Sequence, residues 1–129
     1  MKILLVDDET ELVSAIAERL SLRDIDADWA DNAQEALKLA ENKIYDLAVL
    51  DIKMPKIGGL KLKKLLYEKY PHMKFIFFTG HGSEKEYKAC EEEKHVVDCL
   101  TKPFNIEVLI EKIQSISADG SLEKKENEK

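Results

Sequence analysis

Short apolar runs alternate along this chain with longer stretches whose apolar residues recur every three or four positions, and each run is followed by a polar or acidic residue. The runs are Ile3 to Val6, Leu47 to Leu50, Phe75 to Phe78 and Val96 to Leu100, with a weaker one from Ala27 to Ala30. Runs of this length between helical segments read as strands of a parallel sheet buried on both faces. Leu12, Val13, Ile16, Ala17 and Leu20 predict a first helix, and Ala33, Ala36, Leu37 and Ala40 a second. Asp31, with Gln34 three residues on, is the expected N-cap of that second helix. Pro55 and the pair Gly58-Gly59 make residues 53–59 a loop, after which a lysine-rich helix carrying Leu62, Leu65 and Leu66 runs to Tyr70-Pro71. Residues 84–94 have only Tyr87, Ala89 and Cys90 to bury, so this fourth helix is the least amphipathic and is expected to be the most mobile. Asn105 is predicted to cap a last helix that turns Ile106, Leu109, Ile110, Ile113 and Ile116 inward.

Strand and helix alternating five times predict an α/β fold with one open, doubly wound parallel sheet. Side chains just past the carboxyl ends of such strands share one crevice. Asp7 and Asp8 after the first run, Asp51 after the third and Lys102 after the fifth therefore meet in space. Three carboxylates at one sheet edge repel unless a cation sits among them, and a hard, all-oxygen donor set suits Mg²⁺ better than zinc or copper. The chemistry expected of the crevice is that of a metal and a phosphoryl group.

Composition narrows this reading. A chain of 129 residues, 44% hydrophobic and 36% charged, has the size and make-up of one globular domain. No apolar stretch approaches the roughly 20 residues of a membrane span. The start MKILLVDDE is too short in apolar residues for a signal-peptide core, so a cytoplasmic location is expected. Cys90 and Cys99 form no CxxC pair and have no histidine at ligand spacing, which argues against structural zinc; both are read as free thiols. A net charge of −6 argues against general nucleic-acid binding. Residues 53–69 hold six lysines against Glu68 alone, and residues 84–98 hold six acids against three lysines. That contrast either steers a protein partner or marks two solvated helix faces. After Ile116 almost nothing can be buried, so residues 1–117 are expected to form the domain and 118–129 a disordered charged tail, with no output domain following.

The strand-end residues fall into a known pattern. Val6-Asp7-Asp8-Glu9, Asp51-Ile52-Lys53-Met54-Pro55 with Gly58-Gly59, Thr79-Gly80 and Lys102-Pro103-Phe104 appear in that order, and together they resemble the response-regulator receiver domain of bacterial two-component signalling. The resemblance covers residues 1 to about 117 and implies a flavodoxin-like sheet of strand order 2-1-3-4-5 with five helices. It implies that Asp51 is a nucleophile forming an aspartyl phosphate. Asp8, Asp51 and the main-chain carbonyl of Lys53 would hold Mg²⁺, with Asp7 orienting a water on the metal or supporting the site from behind. Lys102 would place its ammonium on a phosphoryl oxygen, Thr79 would donate its hydroxyl to another, and Gly80 would leave room. The Lys102-Pro103 bond is expected to be cis on the same ground.

The implied function is a single-domain phosphoacceptor that takes a phosphoryl group from a sensor histidine kinase or phosphotransfer protein and changes its affinity for a downstream protein, as a monomer or a phosphorylation-dependent dimer. Two alternatives stay open: a phosphorylation-independent interaction module on the same scaffold, and a phosphatase of the haloacid dehalogenase type. The latter places a second Asp two residues after its nucleophile, where this chain has Lys53. The sequence also departs from many receivers by carrying Cys99 where a switch Tyr or Phe stands three positions before the lysine. The signal is therefore expected to pass through the loop after Thr79 and the fourth helix. Lys53 and His81 stand where they would border the path of attacking water and slow the loss of phosphate.

Overall fold

The computed structural model describes the backbone of residues 1–80 and 82–126 and the side chains of residues 1–80 and 82–117. Its elements are β1 (Lys2–Val6), α1 (Thr10–Ser21), β2 (Asp26–Ala30), α2 (Ala33–Asn42), β3 (Leu47–Asp51), α3 (Gly59–Lys69), β4 (Lys74–Thr79), α4 (Glu84–Glu92), β5 (Val96–Thr101) and α5 (Ile106–Glu126). The five strands pair in parallel in the order β2-β1-β3-β4-β5, as expected for a doubly wound sheet. The expected disordered tail, 118–129, falls on residues whose side chains, and from 127 whose backbone, lie outside those described.

Alternation along β3 shows why its sequence is apolar throughout. Ala48 and Leu50 face the layer made by α2, α3 and α4, with Leu4, Val6, Leu62, Leu66, Phe75 and Phe77. Leu47 and Val49 face the layer made by α1 and α5, with Val13, Leu20, Ile76, Phe78, Leu109 and Ile113. A strand with a core on both sides has no position for a polar side chain until it ends, and β3 ends on Asp51.

Two helix starts test the capping expectations. Asn105 caps α5 as predicted, its side chain accepting the Glu107 N–H at 2.8 Å. The N-cap of α2 is Asn32, not Asp31: Asn32 Oδ1 accepts the Glu35 N–H at 2.9 Å. Asp31 instead accepts the Thr10 hydroxyl at 3.1 Å and the Asn32 amide at 2.8 Å, which ties the start of α2 to the start of α1.

The reading of Cys90 and Cys99 as free thiols is overturned: the two form a disulfide between α4 and β5, with Cα atoms 6.2 Å apart. A register shift makes this possible. Phe75 pairs with Val96 but Ile76 pairs with Asp98, so Val97 is an extra residue in β5. Beyond this bulge the alternation is inverted, and Val96 and Cys99, three residues apart, both pack on the α2–α4 side. Cys90 is the sole buried residue of α4, so the bond joins the helix to the sheet at its one apolar anchor.

The charge contrast of α3 and α4 also turns partly inward. Lys63 is 5% exposed, 3.3 Å from Glu93 Oε1, with its ammonium over the rings of Tyr67 and Phe75. Tyr67 stacks on His95 and their Oη and Nε2 atoms are 2.9 Å apart.

Candidate functional site

Because β3 lies at the centre of the sheet with β1 and β4 on either side, the ends of these three strands form one crevice. Asp51 closes β3 and is 6% exposed; Asp7, directly after β1, and Thr79, at the end of β4, are fully buried. Asp8 stands exposed at the rim. One carboxylate oxygen from each of Asp7, Asp8 and Asp51 lies within 4.8 Å of the other two. Lys102, directly after β5, spans the crevice: its Nζ is 2.6 Å from Asp7 Oδ2, 2.9 Å from Glu9 Oε1 and 3.6 Å from Asp51 Oδ1.

The loop from β3 to α3 is shaped by close approach. A Cβ on Gly59 would collide with the main chain of Asp51, and one on Gly58 would stand 2.8 Å from the Ile52 carbonyl oxygen. Without side chains there, Gly59 N–H reaches the Ile52 carbonyl at 2.8 Å and α3 starts against the backbone of Asp51. Lys53, in this loop, is exposed. On the opposite side, the cis Lys102-Pro103 bond leads to Phe104, whose ring stacks on Phe78 at 4.6 Å.

Electrostatically the crevice is short of positive charge. Burial, with the negative charge of Asp7 adding to it, pushes the Asp51 carboxyl up to about 7. Burial also raises Asp7. Burial pulls Lys102 down, but the Asp7 and Glu9 carboxylates beside its ammonium outweigh that and hold it above the ordinary lysine value. Asp7 Oδ1 accepts the Glu9 N–H at 3.0 Å, whereas Asp7 Oδ2 is buried with no hydrogen bond of good geometry and faces Lys102 through charge alone. An all-oxygen donor set, one orphaned buried oxygen and carboxyls raised by burial fit a hard divalent cation such as Mg²⁺.

All four strand-end acids and bases singled out in the sequence, with Thr79, thus stand at one sheet edge; His81 lies outside the described residues. Three contacts were missed. Glu9 joins Asp7 on Lys102. Thr79 Oγ1 donates to Thr101 Oγ1 at 3.2 Å, so the hydroxyl has a partner in this state. Glu86, from the first turn of α4, accepts the Gly80 N–H at 2.7 Å and links that helix to the residue after Thr79. The spacing Ser83-x-x-Glu86 carried the signal: Ser83 Oγ caps the Glu86 N–H as in a capping box, but the Glu86 carboxylate reaches past Ser83 to Gly80.

Comparison with known proteins agrees with this geometry. Residues 3–114 match the model of the response regulator receiver domain. The chain is 36% identical over 115 residues to the transcriptional regulatory protein CpxR homolog of Haemophilus influenzae, covering 89% of this chain and 49% of that protein; it spans half or less of the length of the curated relatives it matches. Among solved structures it is similar to a CheY-like response regulator receiver domain protein from Methanospirillum hungatei, with TM-score 0.80, 30% identity and coverage of 99% and 98%. A receiver domain protein from Clostridium thermocellum gives TM-score 0.83 at 26% identity, covering 94% of this chain and 97% of that one. The family is one of regulators, which leaves the dehalogenase-type hydrolase without support. The chain belongs to the response regulator receiver domain family of two-component signalling.

Proposed function

We propose that Asp51 is the phosphoacceptor of this receiver and that its phosphorylation changes the surface offered by α4 and β5. The observation that carries the reading is the position of Asp51: buried at the end of the central strand, beside two further carboxylates and 3.6 Å from an ammonium. An Asp51 carboxylate oxygen attacks phosphorus, a new O–P bond forms, and the bond to the donor breaks with its electron pair leaving on the donor. Lys102 stabilises the negative charge of the arriving group, and Thr79, once released from Thr101, donates its hydroxyl to a phosphoryl oxygen. Asp8, Asp51 and the Lys53 carbonyl are the proposed Mg²⁺ ligands, with Asp7 behind them; the ion offsets the repulsion between carboxylate and phosphoryl group.

In this reading the only catalysis is the chain's own phosphoryl transfer and loss. The donor is a sensor histidine kinase or a phosphotransfer protein, and the receiver of the signal is a protein rather than nucleic acid or membrane. Among the described residues no helix is long and apolar enough to cross a membrane, in keeping with the proposed cytoplasmic setting. Intact-protein mass after incubation with acetyl phosphate and Mg²⁺ tests the assignment. One phosphate adduct, absent from Asp51→Asn and from an EDTA-treated sample, supports it; an adduct that survives in Asp51→Asn defeats it.

A further inference from the structure

We infer that Cys90 and Cys99 form a reversible thiol–disulfide modification site through which a dithiol reductant sets how firmly α4 is held on the sheet. For its consequence in signalling the inference rests on the receiver reading; the site itself does not.

The argument starts from how little else fixes α4. Over Glu84–Glu92 the helix buries no residue but Cys90, whose sulfur is bonded to β5. Among the described residues its other side-chain ties are polar and near its ends: Glu86 to the Gly80 N–H at one, the Lys63–Glu93 pair at the other. Tyr87, the one large apolar side chain of the helix, is 38% exposed and lines a surface groove with Gly80, Ser83, Lys88, Glu91 and Thr101. Opening the disulfide removes the covalent cross-link between the groove's two walls, α4 and β5, and leaves only the main chain of residues 93–95 to join them. In thiol-rich compartments a disulfide is usually a transient, sensing bond rather than a permanent staple.

The exchange balances without any other reactant. Cys99 is half-buried and Cys90 fully buried, so the first thiolate of the reductant attacks Cys99 Sγ and the S–S bond breaks. Cys90 leaves with the electron pair and takes up a proton; the Asp98 carbonyl, 4.0 Å from its sulfur, is placed to accept the new thiol. The second thiol of the reductant displaces Cys99, yielding two protein thiols and an oxidised, disulfide form of the reductant.

The test uses the full wild-type chain, unphosphorylated, in two states: treated with a small disulfide oxidant, or with dithiothreitol. Thiol alkylation followed by intact mass should add no label to the first and two labels to the second. Amide hydrogen exchange in residues 84–95 should then be faster by about tenfold or more in the reduced chain, with β1 and β3 changed less than about twofold. A Cys99→Ser chain should give the fast pattern in both conditions. Two labels on the oxidant-treated chain, or equal exchange at 84–95 in both states, would overturn the inference. No phosphoryl donor is present, so either failure leaves the assignment of Asp51 to its own experiment.

Discussion

α3 and α4 flank the same crevice on the same side of the sheet, yet they are held by different means. α3 buries Leu62 and Leu66 completely and starts with Gly59 against the backbone of Asp51. α4 buries Cys90 alone and, among the described residues, is otherwise held by Glu86 and by the Lys63–Glu93 pair beyond its end. Apolar packing is many small contacts that are lost only together, whereas an ion pair, a hydrogen bond or a disulfide can be broken singly. The comparison teaches that the α3 side of the crevice is held by packing that is lost only as a whole, and the α4 side by bonds that can be released one at a time.

Four substitutions or conditions can break or sharpen this contrast. The largest effect is expected from Leu66→Ala in α3, which leaves a cavity in a core with no room to collapse: about 2–5 kcal/mol by urea unfolding. Tyr87→Ala in α4 should stay within about 0.5 kcal/mol in the same assay. Next comes reduction of the disulfide between Cys90 and Cys99, nine positions apart; the entropy released to the unfolded chain predicts a loss of about 2–3 kcal/mol, read as a lower urea midpoint with dithiothreitol. Glu86→Gln removes the charge from the Gly80 contact while keeping its shape, and should cost about 1 kcal/mol with faster amide exchange confined to residues 80–92.

Thermal stability should also depend on pH. Asp51 in the folded chain is raised from 3.8 to about 7, so the folded state keeps a proton that the unfolded chain gives up. The stability from that proton is complete below the unfolded value and is lost as pH rises through the folded one. In EDTA the melting temperature should therefore fall by a few degrees between pH 5.5 and pH 8. The lowered carboxyl of Asp28, for which burial is outweighed by bonds from Tyr45 and Lys43, acts only at more acid pH and does not enter this window. Asp51→Asn should flatten the profile, and Mg²⁺ should restore the melting temperature of the wild type at pH 8.

Much of the fold was legible because its strands are buried on both faces: Leu47 to Leu50 and Phe75 to Phe78 admit no polar residue, so the first polar position marks the strand end and the crevice. The chemistry expected of the crevice was read from which residues stood there. What escaped depended on offsets of a single residue. Asp31 and Asn32 are both good caps with an acid or amide three residues on, and only the fold chose Asn32. The disulfide escaped for a related reason. Strand periodicity places Val96 and Cys99 on opposite faces, and the bulge at Val97 that puts them on the same face leaves no mark in the pattern. Glu86 escaped because its spacing from Ser83 announced a helix start and gave no hint that its carboxylate continues to Gly80.

The most direct test of the account is a pair of amide NMR spectra of the oxidised full chain, with Mg²⁺ alone and with Mg²⁺ and beryllofluoride as a stand-in for the phosphoryl group. The account predicts shifts at the ends of β1, β3 and β4 that continue through residues 80–100, with the body of α3 unchanged. Shifts at the crevice with none in residues 80–100 would contradict it, because the group would then be bound without α4 and β5 receiving the signal.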